Sequence, residues 1–160
     1  DCRLGDGLTC VKAGEVDGAV ICGMGGPLMV RILQTSYAVW QSLKFVVLQP
    51  QSDAGALRRY LYEHGWHIED ERLVIDDGRL YELMRAVPGQ AGALPDWIYD
   101  IGPVNWQRRD PLLSRKIDIL METKGHILEG LKKSRKDVHE RMEKIESELR
   151  FWRELKWQLQ

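Results

Sequence analysis

The chain has 160 residues, 44% of them apolar and 29% charged, with a net charge of −1. That length suits one domain, or one domain with an appendage, since domains run to about 100–200 residues. No apolar run approaches the roughly 20 residues that cross a bilayer, so no membrane segment is expected. Cys2, Cys10 and Cys22 have neither CxxC nor Cys/His spacing, which favours reduced thiols, a cytoplasmic setting and no metal. The charge is unevenly placed. Residues 1–102 hold nine Lys/Arg against fourteen Asp/Glu, a net −5; residues 103–160 hold fourteen against ten, a net +4. The basic half fits a polyanion partner, and it equally fits a solvated helical face.

The chain starts on Asp1, without signal-peptide features, in DCRLGDGLTC, a stretch that reads as the interior of a longer sequence. Asp17 to Cys22 is short, apolar and partly β-branched, the signature of a buried strand. GMGG follows, and Pro27 suits the first turn of a helix in which Leu28, Ile32 and Leu33 share a face. Phe45 to Gln49 repeats the buried strand; Pro50 ends it, and Ser52 or Asp53 can cap a helix that runs to about Glu63 and closes at Gly65. Trp66–Asp76 and Arg79–Val87 flank Asp77-Gly78, a hairpin signal. Two β-α units followed by a hairpin describe the second half of a doubly wound sheet. Residues 88–110, with three prolines and three glycines, read as an irregular connector.

Beyond it the pattern turns helical. Leu113, Ile117, Leu120, Ile127 and Leu131 form a seam that Lys124 interrupts, and Val138, Met142, Ile145, Leu149 and Trp152 resume it after a slip near KKSRKD. Ser134 to Asp137 fits a capping box, so an antiparallel coiled-coil hairpin over 111–160 is expected in preference to one long helix.

Ligands of open α/β sheets sit at the carboxyl ends of strands, which points to the loops after Cys22 and Gln49. GMGG is either a packing corner or a floor that lets a ligand approach the backbone. It does not fit the GxGxxG dinucleotide fingerprint. Gly5-Asp6-Gly7 is either a turn or a site where a carboxylate accepts from an amine such as adenine's, and Gln49-Pro50-Gln51 is either a turn or a reader of a base edge. The basic groups Arg58-Arg59, Arg108-Arg109 and Lys132-Lys133 with Arg135-Lys136 could take phosphates, or simply solvate a surface. No histidine pair has metal-ligand geometry, and no Ser/His/Asp triad stands out.

In combination, RLGDGL, VICGMGGPLMVRIL, VVLQPQ, DGRLYELM and IGPVNWQRRDPLL before a helical pair resemble the bacterial tRNA (adenine-22-N1)-methyltransferase family across essentially the whole chain. The resemblance implies a Rossmann-like domain that uses S-adenosylmethionine, and a helical hairpin that helps engage tRNA. By resemblance, Gly5, Asp6 and Gly7 lie beside the cofactor's adenine, and Cys22, Gly23 and Met24 line its pocket. Gly25 and Gly26 open toward the methyl group and the target base, which Gln49 and Pro50 face. Gln51 stands where the family usually has Asn.

Only sixteen residues precede the Asp17 strand, too few for a first strand with its glycine loop and a second ending in an acidic residue. The expectation is therefore the C-terminal part of a longer enzyme, inactive alone and prone to self-association through an exposed sheet edge or its helices. The rival reading is a non-catalytic oligomerisation or partner-binding module on an α/β scaffold. A dinucleotide-binding domain ranks third.

Overall fold

Apolar, β-branched runs form the first two strands in the computed structural model, which describes residues 1–134 and 137–159. β1 (Gly18–Met24) and β2 (Phe45–Pro50) lie parallel, in register from Gly18 opposite Phe45 to Cys22 opposite Gln49. β3 (Trp66–Asp76) and β4 (Arg79–Pro88) form the hairpin, and its two turn residues Asp77 and Gly78 both have positive φ, 46° and 72°. That is the turn whose twist matches paired strands. β4 inserts between β2 and β3, antiparallel to both, so the order is β1-β2-β4-β3. β1 is an edge strand, and its Val20 is 69% exposed.

Three helices pack with this sheet: α1 (Gly26–Thr35), α2 (Tyr37–Gln41) and α3 (Ala54–Glu63). Met29, Leu33, Trp40, Leu57 and Leu61 meet Val46, Leu48 and Trp66 in a core from which water is excluded. Trp40 stacks on both Tyr60 and Trp66, with ring centroids 5.4 and 5.5 Å apart. Two local expectations change. Met29, not Leu28, joins Ile32 and Leu33 on the buried face, because the helix starts at Gly26 and that phase turns Leu28 outward. Asp53 does precede α3, but it adopts a left-handed conformation (φ 48°) and makes no side-chain cap.

Residues 88–110 are more ordered than their prolines and glycines implied. They carry α4 (Asp96–Ile101) and α5 (Pro103–Gln107), held by the buried Glu71 and Arg58. Glu71 Oε1 accepts from the Val104 and Asn105 N–H groups at 2.8 and 3.0 Å. Between the two helices Gly102 has φ 98°, and a Cβ there would fall 2.4 Å from the Glu71 carboxylate, so glycine is required twice over.

The chain divides into two compact units, Asp1–Asp110 and Pro111–Gln160. The second comprises α6 (Leu113–Lys132) and α7 (His139–Trp157). Pairing of Asp118 with Lys156, and of Lys124 with Glu148, sets the two helices antiparallel. Leu128, Ile145 and Leu149 form their shared core, with Met121, Leu131 and Met142 packed against it. Leu128 takes the place expected for Ile127, which is 41% exposed. The helix phase drifts past a strict seven-residue repeat, which moves the seam by one position. The expected capping box falls partly on Arg135 and Lys136, outside the described residues. α7 begins at His139, whose N–H donates to Asp137 Oδ1 at 3.2 Å.

Candidate functional site

The carboxyl ends of β1 and β2 are tied together by their backbones. The β1–β2 register skips Gly23, which has φ 76°. Gln51 N–H donates to Met24 O, and Gly26 N–H donates to Ser52 O, both at 2.8 Å. A Cβ on Gly26 would fall 2.5 Å from Asp53 O, and one on Gly25 would fall 3.0 Å from Ser52 Oγ. These two glycines therefore make a corner where two loops touch. Gly23 is different: its missing Cβ would meet only the end of Gln51's side chain, at 4.0 Å, so it is the positive φ that calls for glycine there.

Beside this corner lies a cavity of about 250 Å³ lined by Gly7, Leu8, Val20, Ile21, Cys22, Met24 and Ile32. Gly7, of the GDG turn, has φ 60°, and a Cβ on it would press on Ile32 at 2.7 Å. Leu8 is buried in the core, which holds the GDG turn against α1 and the strand. The turn is closed by Asp6 N–H donating to Thr9 Oγ1 at 3.1 Å and Thr9 N–H donating to Asp6 O at 3.2 Å. Cys22 and Met24 are thus brought together with Gly7. Gly5, Asp6 and Gly23 stand outside the lining, although their backbones shape it. The walls are apolar and glycine-edged, suited to a flat heteroaromatic ring, and the volume is just under the about 300–1,000 Å³ of whole-ligand pockets. No acidic side chain lines the cavity to take ribose hydroxyls.

Gln49, expected to face a base, uses its side-chain carbonyl to accept from Gly23 N–H at 2.9 Å, while Nε2 donates to Pro50 O at 3.4 Å. Pro50 is buried and Gln51 exposed. The basic residues divide more sharply. Arg58 is fully buried, so its expected contact with substrate is corrected: Nη2 pairs with Glu71 at 2.9 Å and Glu82 at 2.8 Å, and Nη1 donates to Tyr99 O at 2.8 Å. Burial alone would lower its pKa; the carboxylates, Glu82 foremost, overcome that and raise it above its ordinary value. Arg58 falls on the same face of α3 as Ala54 and Leu61, and this helical spacing was the signal that reading Arg58-Arg59 as one basic pair missed.

Arg59 stays at the surface, bonded to Asp96 at 2.9 Å with its guanidinium 4.7 Å from the centre of the Tyr99 ring. Arg108 pairs with Asp70. Partial burial pushes the Asp70 carboxyl up, and Arg108 more than offsets this, leaving it below its ordinary value. Arg109 is exposed, with φ 50°. Lys132 pairs with Glu129 at 2.8 Å, and Lys133 is exposed. Arg135 and Lys136 lie outside the described residues. Among the described residues no group of three His, Cys, Asp or Glu could hold a metal, and no helix is long and apolar enough to cross a membrane.

Parallel strands with a cavity at their carboxyl ends, continued by an antiparallel hairpin, define a Rossmann-like α/β domain. Residues 1–154 match the family described as TrmK: tRNA (adenine(22)-N(1))-methyltransferase, and the chain belongs to that family. Over 96 residues it is 36% identical to the tRNA (adenine(22)-N(1))-methyltransferase of Bacillus subtilis (strain 168), an alignment that takes in 60% of this chain and 40% of that relative. Among solved structures, an NADB-Rossmann superfamily protein from Streptococcus agalactiae is 24% identical, with a TM-score of 0.81, covering 95% of this chain and 65% of its own. A putative tRNA (m1A22) methyltransferase from Streptococcus pneumoniae, in complex with S-adenosyl-L-methionine, is 25% identical, with a TM-score of 0.80 and coverage of 95% and 66%. The B. subtilis M1A22 tRNA methyltransferase is 25% identical, with a TM-score of 0.79 and coverage of 95% and 68%. The chain thus spans about two fifths of the curated relative and about two thirds of these solved ones.

Proposed function

We propose that this chain serves a tRNA methyltransferase that moves a methyl group from S-adenosylmethionine to N1 of an adenine. The observation that carries this reading is the glycine-edged cavity where the GDG turn meets the end of β1, in a chain of this family. When bound, the cofactor supplies an electrophilic methyl group. Gly7, Leu8, Cys22 and Met24 would hold its adenine end, with Gly5 and Asp6 shaping the turn beside it. Gly25, Gly26, Pro50 and Gln51 would border the target base. That base must leave its stack to be reached. N1 already owns a lone pair, so the residues at the strand ends serve to align it and exclude water rather than to create a nucleophile.

Arg59, Arg108, Arg109, Lys132 and Lys133 are the candidate phosphate contacts. The three that are paired with carboxylates, Arg59, Arg108 and Lys132, would exchange those partners for phosphates on binding. A cytoplasmic site of action follows from the tRNA substrate. The open edge of β1, with Val20 outward, would also pair with another strand, including that of a second copy.

Incubation of the full-length protein with methyl-labelled S-adenosylmethionine and unmodified tRNA tests the reading. Labelled tRNA with a primer-extension stop at one adenine is expected. Cofactor binding without any methylated adenine would overturn it.

A further inference from the structure

We propose that Gln49 is a positioning residue for the cofactor cavity: its side-chain carbonyl holds the Gly23 amide and thereby sets the wall formed by Cys22 and Met24. The inference deepens the methyltransferase reading and rests on it for the identity of the ligand. Three observations converge. The β1–β2 ladder pairs Cys22 with Gln49 and then Met24 with Pro50, so Gly23 is skipped. A residue skipped by a ladder has lost its strand partner, so its N–H must turn to a side chain or to water. Here Gln49 Oε1 supplies the missing acceptor, 2.9 Å from Gly23 N.

The residues on either side of that amide, Cys22 and Met24, both line the cavity. Gly23 itself has φ 76°, one of several conformations open to glycine without strain, so a hydrogen bond on its amide selects among them. The next fixed point is Gln51 N–H on Met24 O at 2.8 Å. The Gly23–Met24 turn is therefore clamped at two points from β2 and its loop, one by a side chain and one by the backbone. Gln49 is the side-chain member, and Gly23 takes one lone pair of its carbonyl.

The chemistry separates two variants. Gln49→Leu removes the acceptor. Gln49→Glu keeps an oxygen at the same reach, which is all that Gly23 N–H requires, and gives up only the long 3.4 Å donation to Pro50 O. Two measurements test the proposal. In the 160-residue chain, hydrogen exchange of the Gly23 amide is compared with that of Leu48 in β2. In the full-length protein, binding of S-adenosylhomocysteine is measured alongside kcat and the KM for tRNA.

Gln49→Leu is expected to speed Gly23 exchange about fivefold or more, the equivalent of one ordinary hydrogen bond, and to weaken S-adenosylhomocysteine by a similar factor. Gln49→Glu should keep both near wild type. Gly23 exchange within twofold of wild type in Gln49→Leu would overturn the proposal, and so would unchanged cofactor-product affinity with a raised KM for tRNA alone, which would return Gln49 to the target base. If the wild-type protein binds no S-adenosylhomocysteine, the functional reading fails, and Gly23 exchange still decides whether Gln49 holds the turn.

Discussion

The core of the α/β unit and the cluster that α6 and α7 share meet the same need for burial to different depths. In the first, Met29, Leu33, Trp40, Val46, Leu48, Leu57, Leu61, Trp66 and Ala86 have no exposed surface. In the helical pair, Leu113, Ile117 and Trp152 are sealed to 2% or less, but the cluster of Leu128, Ile145 and Leu149 that α6 and α7 share leaves 8% of each residue in contact with water. The charges follow suit. Arg58 and Glu71 are sealed in, whereas the side chains of Lys124, Glu148, Lys156 and Asp118 keep 22–34% of their surface. A sealed ion pair cannot lose one partner cheaply, because the survivor stays charged without solvent; a rim pair lets water fill the gap. The Arg58 cluster is therefore brittle to single changes, and the α6–α7 rim forgiving.

The sharpest way to break that comparison is Arg58→Leu. It strands two buried carboxylates and should cost about 3–5 kcal/mol in chemical denaturation. A loss under about 1 kcal/mol, with weakened tRNA binding, would return Arg58 to the surface role its sequence context offered. Next comes Leu149→Ala in α7. Here a cluster with water nearby should hold the loss close to 2 kcal/mol, the low end for such truncations; a cost near 5 kcal/mol would erase the difference between the two cores. Lys124→Ala, which removes a rim pair, should shift stability by no more than about 1 kcal/mol and less at high salt.

The smallest effect concerns Glu15. Its hydrogen bond from Arg3 holds its pKa at about 2, down from 4.5. The depressed value means the tether is fully present above pH 4.5 and lost as pH falls toward 2. Carboxyl chemical shifts of Glu15 followed from pH 6 to pH 2 should titrate late; a midpoint near 4.5 would show that Arg3 does not hold it.

Much of the α/β unit was legible because its signals are short-range. Asp77-Gly78 announced the hairpin, since both residues tolerate positive φ. The apolar runs at 17–22 and 45–49 announced parallel strands, and GMGG with Pro27 announced the corner into α1. The order in the helical pair was less legible by one step, Ile127 for Leu128, because a seven-residue template drifts against 3.6 residues per turn. In the site, Gly7, Cys22 and Met24 were named from the motif, and they meet at one cavity. Gln49 was singled out, but the use of its carbonyl was not visible.

The sequence by itself determined what neighbours along the chain can decide: strand and helix periods, the turns that need glycine, and, through motif order, the family. Tertiary structure alone decided that β4 lies between β2 and β3, that the segment at 96–107 folds onto a buried carboxylate, and that Arg58 points inward while Arg59 points out. Those outcomes join residues dozens of positions apart. Which buried donor meets which acceptor is settled only when the packed chain brings them within reach.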